Sequence, residues 1–241
     1  MTAGRLSIVV PVYNEHKRLE RSLTTMLAFC DRHGAADVVV VNDGSTDDSV
    51  AIATQFARRD ARIRVIDEGG HQGKGATVRR GMLAATGDWI LFTDADLSTP
   101  LEEVETLFRA VEERTAVGAI GSRGVDRSVV GVHQARPREW SGRFFNVVMR
   151  SMVGLSYRDT QCGFKLYRRD AAGAIFSRQR LPGFAFDVED LFIAARLNLR
   201  IVEVPVRWND AGSSSVTLAT GSQAFADLMR IRWHAIRGDY R

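Results

Sequence analysis

Short, continuously apolar runs recur through the first half of this chain, and a segment with helical spacing follows each of them. The first run covers residues 6–11 and precedes a helical pattern at residues 17–33, and a valine-rich run follows at residues 37–41. Runs without apolar–polar alternation are typical of strands whose two sheet faces are both covered. The repetition of strand and helix up to residue 121 predicts an α/β fold, with a mostly parallel central sheet flanked by helices.

The remaining elements follow from the same two periodicities. Strands are predicted at residues 6–11, 37–41, 63–66, 89–92 and 117–121, in a short run after 165, and at 201–206. Helices are predicted at residues 17–33, 48–59, 101–113 and 142–155, in segments ending near 85 and 198, near 171, and in an amphipathic tail at 222–236. Pro11 is expected to end the first strand, and Pro100 to occupy the first position of its helix.

The composition is that of an ordinary globular protein. Hydrophobic residues make up 45% of the 241 residues and charged residues 26%, which predicts one large domain over residues 1–241. No apolar run approaches the roughly 18 residues that span a bilayer, and the chain opens without a signal-peptide pattern. Two cysteines are too few for a disulfide framework. We therefore expect a cytoplasmic protein in a reducing compartment.

The net charge of +4 favours an anionic partner such as a nucleotide, a phospholipid surface or nucleic acid. Arginine supplies nearly all of the positive charge, and the lysines are confined to positions 17, 74 and 165. We assign the arginine content to genome composition and expect no nucleic-acid partner. Lys74, which lies between two glycines, stands out against this background.

Two carboxylates, Asp94 and Asp96, follow the fourth predicted strand. Two hard oxygen donors at this spacing can bind Mg²⁺ or Mn²⁺ and leave positions for water and substrate phosphates. The pattern alone is equally typical of a turn. Three further polar or glycine-rich loops, at residues 11–15, 42–46 and 69–75, also follow predicted strands. Because ligands bind beyond the carboxyl ends of strands in open α/β sheets, the four loops together predict a ligand site.

Two common nucleotide motifs are missing from this site. The first strand lacks the G-x-G-x-x-G fingerprint of dinucleotide sites, and the segment around Lys74 lacks the glycine and hydroxyl residue of a P-loop. We infer a nucleotide whose diphosphate is neutralised by a metal on the acidic pair. Asp43 can accept hydrogen bonds from a base or ribose, or act as a turn residue; Glu15 can contact the base or simply be solvated. Lys74 at a helix start would reinforce a phosphate site, or is one more solvated lysine.

Several motifs together resemble the inverting glycosyltransferases of family 2, which have the GT-A fold. They are SIVVPVYNE at residues 7–15, VNDGSTD at 41–47 and DAD at 94–96. The segments at residues 73–75, 94–100, 121–123 and 159–165 narrow the resemblance to polyprenyl (dolichyl)-phosphate glycosyltransferases, in particular the dolichyl-phosphate β-glucosyltransferase type. The similarity extends from about residue 6 to residue 215.

This resemblance implies a nucleotide-sugar donor and a polyprenyl or dolichyl monophosphate acceptor. It implies Pro11, Tyr13, Glu15 and Asp43 for the nucleotide, and Asp94 and Asp96 for the metal and diphosphate. Lys74 and Ala95 are further candidates for the donor site, and Asp96 is a candidate for catalysis. Ser98 lies where mannosyl relatives have glutamine or histidine, which favours UDP-glucose over GDP-mannose. Residues 6–122 are expected to bind the donor and residues 123–215 the acceptor, followed by a basic amphipathic helix at 222–241.

The acceptor determines the catalytic groups that the reaction needs. A phosphate monoester, with a second pKa of about 6, is largely dianionic at neutral pH, so it needs placement more than deprotonation. Arg123, Arg138 and Arg143 suit that task because guanidinium groups bind phosphate bidentately; the alternative is a solvated basic loop. Asp159 is expected to orient the donor or an arginine. Asp187 is a further catalytic candidate, or a helix cap.

Other interpretations remain open. A family-2 enzyme that acts on a saccharide hydroxyl would use Asp187 or Asp190 as a base, and a mannosyl enzyme would use GDP-mannose. A phosphohydrolase with Asp94 as nucleophile is disfavoured because the acidic pair follows the fourth strand rather than the first; a non-catalytic binding module is a further class. The helix at 142–155 and the tail with Trp233 are expected to lie on an anionic, cytoplasmic membrane face, or to pack on the core.

Overall fold

A central sheet covered by helices on both faces forms the described part of the protein. The computed structural model describes residues 4–34, 36–67, 69–123, 154–209 and 218–241. The strands are β1 (Leu6–Val12), β2 (Ala36–Asn42), β3 (Ile63–Asp67), β4 (Trp89–Thr93), β5 (Gly118–Ser122), β6 (Phe164–Arg168) and β7 (Ile201–Pro205). The helices are α1 (His16–His33), α2 (Ser49–Arg59), α3 (Lys74–Ala84), α4 (Val104–Glu113), α5 (Arg169–Phe176), α6 (Phe186–Arg196) and α7 (Leu218–Arg237).

The sheet has the strand order β3-β2-β1-β4-β6-β5-β7. Every strand except β6 runs in one direction, and β6 is antiparallel to both of its neighbours. This arrangement confirms the predicted α/β class with a mostly parallel sheet, whereas the reversal of β6 was not predicted. Because β6 runs backwards, the residues that precede it reach the edge at which the parallel strands end, and Phe164 pairs with Thr93 there.

The valine run of β2 explains why the strands lack alternation. Val38 and Val40 pack into one core cluster, which also contains buried residues of α1 and α4. Val39 and Val41 pack into a second cluster, which contains residues of α3, α5 and α6. All four side chains are at most 1% exposed, and burial of one such side chain contributes roughly 1.5–3 kcal/mol. Both faces of the sheet are therefore covered, as the pattern predicted.

Two predicted element boundaries at prolines are wrong. Pro11 does not end β1, which continues to Val12. Pairing with β4 stops at Val9, so the missing N–H of Pro11 costs no hydrogen bond on that side. Pro100 does not open an α-helix, because a 3₁₀ turn at Leu101–Glu103 comes between it and α4.

The predicted helices at residues 142–155 and 222–236 have different outcomes. The helix predicted at residues 142–155 lies outside the described residues up to position 153; Gly154 then has a left-handed φ of 72° and Leu155 is not helical. The tail helix is longer than predicted and covers Leu218–Arg237. Within the described ranges, no helix has the length and apolar character that crossing a membrane requires.

Candidate active site

The acidic pair lies on a tight turn directly after β4. The backbone N–H of Asp94 donates to the carbonyl of Gly163, 3.2 Å away, and the Asp94 carbonyl accepts the N–H of Leu97 at 3.2 Å. The N–H of Ser98 donates to Oδ1 of Asp96 at 2.9 Å. Leu97 has a left-handed φ of 51°, a conformation that costs a non-glycine residue on the order of 1–3 kcal/mol. The turn therefore holds both carboxylates in place at the expense of local strain.

The residue between the two acids is fixed from the opposite side. Ala95 is buried, and its carbonyl accepts a hydrogen bond from Ser22 Oγ of α1 at 2.6 Å. Across the turn, a Cβ atom on Gly163 would lie only 2.0 Å from Asp94 Oδ2. The absence of a side chain at position 163 is therefore what allows the Asp94 carboxylate to occupy its observed position.

Lys74 brings a positive charge to the acidic pair. It is the first residue of α3, and its Nζ lies 2.7 Å from Asp94 Oδ1. Burial lowers the pKa of Lys74, but Asp94, Asp187 and Asp96 outweigh that effect, and the net pKa is raised. The ammonium group is therefore held charged beside the turn, at a helix start that itself favours anions.

Glu15 adds a third carboxylate to this edge of the sheet. It occupies the N-cap position of α1 and pairs with Arg18 at 2.8 Å. Burial raises its pKa; Arg18 lowers it, while Asp96 and Asp94 raise it further, and the net pKa is raised. Glu15 is therefore close enough to the acidic pair for their charges to interact, as its position after β1 predicts.

The loops after β1, β2 and β3 meet at the residues just before α3. The rings of Tyr13 and His71 are tilted by 34° with centroids 4.3 Å apart, and His71 Nδ1 lies 3.0 Å from Asp43 Oδ2. Asp43 is 3% exposed and accepts the N–H groups of Gln72 at 2.8 Å and of Gly73 at 3.1 Å. Tyr13 and His71 remain exposed. Pro11 lies near the end of β1, and Tyr13 is the first residue after that strand.

His71 contacts two residues of the candidate site, Tyr13 and Asp43, and the sequence analysis missed it. Its position in the loop at residues 69–75, which was already predicted to lie at the ligand-binding edge, is the signal that identifies it. Asp43 has a structural role that was not predicted, because its carboxylate fixes the loop at residues 69–75. A contact of Asp43 with a nucleobase or ribose stays a prediction.

Asp159 and Arg123 form an ion pair at the start of the second half. Arg123 Nε donates to Asp159 Oδ2 at 2.7 Å, its Nη2 donates to Oδ1 at 2.9 Å, and its backbone N–H donates to Oδ2 at 3.0 Å. Burial raises the pKa of Asp159, but Arg123 outweighs it and the net pKa is lowered. The guanidinium group also lies 5.4 Å from the ring of Trp208. Of the two outcomes expected for Asp159, the structure has it orienting an arginine.

Arg138 and Arg143, which were predicted to bind the acceptor phosphate together with Arg123, lie outside the described residues. Their role stays a prediction. Arg123 keeps one third of its side chain exposed despite its ion pair, so its guanidinium can also contact a ligand.

A buried charge cluster lies behind the site and contains a residue that was not predicted. Lys165 of β6 is 0% exposed, and its Nζ lies 2.7 Å from Asp187 Oδ1 and 3.2 Å from Asp190 Oδ2. Tyr167 donates to Asp190 Oδ2 at 3.0 Å. Burial raises the pKa of Asp190 to about 7, although Lys165 opposes the shift. Asp187 is therefore an ion-pair partner of Lys165. The alternative that Asp187 caps a helix is wrong, because the N-cap of α6 is Ala185.

The donor set at the turn fits a divalent cation. Among the residues that the structure describes, no group of three or more His, Cys, Asp or Glu is arranged as a metal site. Asp94 and Asp96 are two partly exposed carboxylates, and Mg²⁺ is commonly bound by one or two carboxylates together with substrate phosphates and water. A cation here would therefore be completed by a phosphorylated ligand.

Known structures share this fold. Glucosyl-3-phosphoglycerate synthase from Mycobacterium tuberculosis, solved with Mn²⁺, UDP-glucose and phosphoglyceric acid, matches with a TM-score of 0.67 and 21% identity, over 95% of this chain and 80% of that one. Mannosyl-3-phosphoglycerate synthase from Rubrobacter xylanophilus matches with a TM-score of 0.69 and 17% identity, over 98% and 74% of the two chains. At these identities the likeness establishes the GT-A fold alone.

Sequence relatives are closer. The dolichyl-phosphate beta-glucosyltransferase ALG5C of Trichomonas vaginalis is 33% identical over 93% of this chain and 70% of its own length. The dolichyl-phosphate beta-glucosyltransferase of Mus musculus is 35% identical over 98% of this chain and 78% of its own length. The family model described as glycosyl transferase family 2 matches residues 7–176. The chain therefore belongs to glycosyl transferase family 2.

Proposed function

We propose that this protein transfers glucose from UDP-glucose to a polyprenyl or dolichyl monophosphate, with inversion at the anomeric carbon. The observation that carries the proposal is the meeting of Lys74 with Asp94 at the edge where the parallel strands end. An ammonium group and two carboxylates at one point suit a metal-bound diphosphate. Relatives at 33–35% identity that are named dolichyl-phosphate beta-glucosyltransferases support the choice of sugar and acceptor.

The donor is proposed to bind across residues 6–122. Tyr13 and His71 offer exposed aromatic side chains for the base, and the charge of Glu15 interacts with the acidic pair. Asp94 and Asp96 would hold Mg²⁺ or Mn²⁺, which when bound takes up charge on the departing diphosphate. Lys74 supplies a second positive charge to the same phosphates.

The acceptor is proposed to bind through residues 123–215, where Arg123 is oriented by Asp159. A bidentate guanidinium suits a phosphate dianion. The burial of the two candidate bases argues against a saccharide acceptor. Asp187 and Asp190 are 4% and 0% exposed, and both lie against Lys165. A carboxylate so enclosed is poorly suited to deprotonate a saccharide hydroxyl, because a base must reach the proton that it removes.

A donor and acceptor screen tests the proposal. The purified protein is incubated with UDP-glucose or GDP-mannose, Mg²⁺ or Mn²⁺, and a short polyprenyl phosphate, a free disaccharide or 3-phosphoglycerate. We expect glucosyl lipid only from UDP-glucose and the polyprenyl phosphate, with a β linkage by NMR, and no product in EDTA. D96N is the matched inactive control. Glucosylation of the disaccharide or of 3-phosphoglycerate in place of the lipid would contradict the proposal.

We further propose that α7 binds the cytoplasmic face of an anionic membrane. Met229, Trp233 and Ile236 are 53%, 51% and 85% exposed, and their spacing of four and three residues sets them on one face of the helix. The opposite face carries Leu228 and Ile231, which are buried in the core. Several arginines accompany the exposed row, and Arg237 lies 4.4 Å from the Trp233 ring. Aromatic and basic residues in this arrangement are typical of interfacial helices.

Vesicle flotation tests the membrane proposal. With phosphatidylglycerol vesicles at low salt we expect the protein to float, and the W233S/I236S variant to stay in the pellet fraction. L83S is the control, because Leu83 is also exposed but belongs to α3. High salt should reduce flotation, since charge contributes to binding. If the wild-type protein fails to float at low salt, the proposal is wrong.

A further inference from the structure

The start of α3 is packed against the loop at residues 177–185, which connects α5 to α6. The N–H of Ala76 donates to the carbonyl of Pro182 at 3.2 Å. A Cβ on Gly73 would lie 2.6 Å from that carbonyl oxygen, and one on Gly75 would lie 2.5 Å from the carbonyl oxygen of Leu181. The two residues that flank Lys74 thus touch the loop backbone directly. The position of Lys74 therefore depends on where this loop lies.

Glu189 of α6 holds the loop from the other side. Its side chain is 0% exposed. Oε1 accepts the N–H of Arg180 at 2.9 Å, and Oε2 accepts the N–H of Leu181 at 2.8 Å. A carboxylate can satisfy both donors because it only accepts hydrogen bonds. Glu189 therefore fixes the loop backbone at the two residues that precede Pro182.

A third donor to Glu189 comes from the segment after α7. Tyr240 is 1% exposed, and its Oη donates to Glu189 Oε1 at 2.6 Å. The ring of Tyr240 also meets Phe192 of α6 edge to face, with centroids 5.9 Å apart. Arg178, in the same loop, donates from Nε to the carbonyl of Arg241 at 3.0 Å. The segment that follows the proposed membrane helix is thus bonded to the loop that seats α3.

We propose that Tyr240 and Glu189 are positioning residues for Lys74, acting through the loop at residues 177–185. The contacts run from Tyr240 to Glu189, from Glu189 to the loop backbone, and from the loop to the glycines on either side of Lys74. Lys74 then reaches Asp94 at 2.7 Å. Loss of the Tyr240 hydroxyl should loosen the loop and weaken the grip of Lys74 on a diphosphate. The inference rests on the proposed function, because it assumes that Lys74 binds the donor.

Calorimetric titration with UDP and Mn²⁺ tests this inference without requiring turnover. We expect Y240F to raise the Kd for UDP about three- to tenfold, the loss that one hydrogen bond typically carries. E189Q should have at least as large an effect, because its NH₂ group would face a donor. K74A/Y240F should bind UDP no more weakly than K74A alone, since Tyr240 acts through Lys74. Thermal melts of each variant monitor folding.

The matched control is Y157F, which removes a tyrosine hydroxyl that donates to Ile201 at 3.3 Å, in a different part of the fold. Its Kd for UDP should equal that of the wild type. A lowered Tm in Y240F and E189Q with unchanged Kd would overturn the inference, because the tail would then serve packing alone. Additive losses in K74A/Y240F would overturn it as well. If the wild-type protein does not bind UDP, the proposed function fails together with the inference. If the wild type binds UDP and Y240F binds it equally well, only the inference fails.

Discussion

Asp96 and Asp187 have different surroundings, and the difference predicts separate effects of removing each charge. Asp96 is partly exposed on the strained turn, whereas Asp187 is buried against Lys165. We expect D96N to lower kcat/KM about 100-fold or more with an unchanged Tm, because the proposed metal site would lose one of its two carboxylates. D187N should mainly lower the free energy of unfolding. The loss should be smaller than the roughly 3–5 kcal/mol of a buried charge left without a partner, because Asp190 still pairs with Lys165. Kinetics and melts of both variants, side by side, decide; near-equal losses of activity would contradict this reasoning.

The ion pair between Asp159 and Arg123 predicts a pH-dependent contribution to stability. Arg123 holds the pKa of Asp159 below its ordinary value despite burial. A lowered folded-state pKa stabilises the protein above the unfolded-state value of about 3.9 and ceases to do so as the pH falls through the folded-state value. We expect D159N to be less stable than the wild type by about 3–5 kcal/mol at pH 7, with the gap narrowing below about pH 4.

Urea denaturation at pH 7, 5 and 3.5 measures this gap. The control is D170N, because Asp170 pairs with Arg168 on the surface, where both side chains are at least half exposed. An exposed pair contributes about 1 kcal/mol or less. A D159N gap that widens toward pH 3.5 would refute the assigned sign.

At the scale of elements, the approach of the segment before β6 to the end of β4 makes position 163 critical. An alanine Cβ there would lie 2.0 Å from Asp94 Oδ2, and the carboxylate, which is 36% exposed, can turn away from it. We expect G163A to fold, with a Tm near that of the wild type, but to lose most Mn²⁺-dependent activity. The control is G173A in α5, where a Cβ meets nothing within 4 Å; it should gain about 0.5–1 kcal/mol of stability. Full activity in G163A would contradict the account.

Elements were predictable where their signal is local. The valine run of β2 and the apolar spacing of α1 each specify an element from consecutive residues, and both lie within one residue of the predicted bounds. The direction of β6 depends on pairing with Trp89–Thr93, more than 70 positions away, which local periodicity does not encode. The buried position of Lys165 was missed for the same reason. Its burial is tolerable because Asp187 and Asp190 neutralise its charge, and these residues are 22 and 25 positions away in the sequence.

The placement of the candidate site was predictable in outline because the loops that follow parallel strands must share one edge. That rule located Asp43, Lys74 and the acidic pair correctly relative to one another. It did not distinguish a residue that contacts ligand from one that fixes a loop, as Asp43 does. Whether a carboxylate binds a ligand or fixes a loop depends on which hydrogen-bond donors surround it in the folded protein, and the sequence does not list those donors.

For the molecule as a whole, donor binding should be visible as a gain in stability that depends on metal. A ligand at 100 times its Kd stabilises the folded state by about 2.7 kcal/mol, which corresponds to roughly 5–10 °C in Tm for a chain of this length. We therefore expect UDP with Mn²⁺ to raise Tm by that amount, and EDTA or D96N to abolish the gain. Uridine, which lacks the diphosphate, is the control. An equal shift in EDTA would argue against a metal on Asp94 and Asp96.

The reversed strand β6 has a consequence for how such a protein can be re-engineered. The chain departs from the sheet edge at Ser122 and re-enters it at Phe164, and the register of β5 on β6 makes these two points close neighbours. An insert whose anchors are adjacent can vary in length at small entropic cost. Replacing the chain between these two points with a segment of different length should therefore leave the central sheet folded, which circular dichroism and thermal melts of such chimaeras would show.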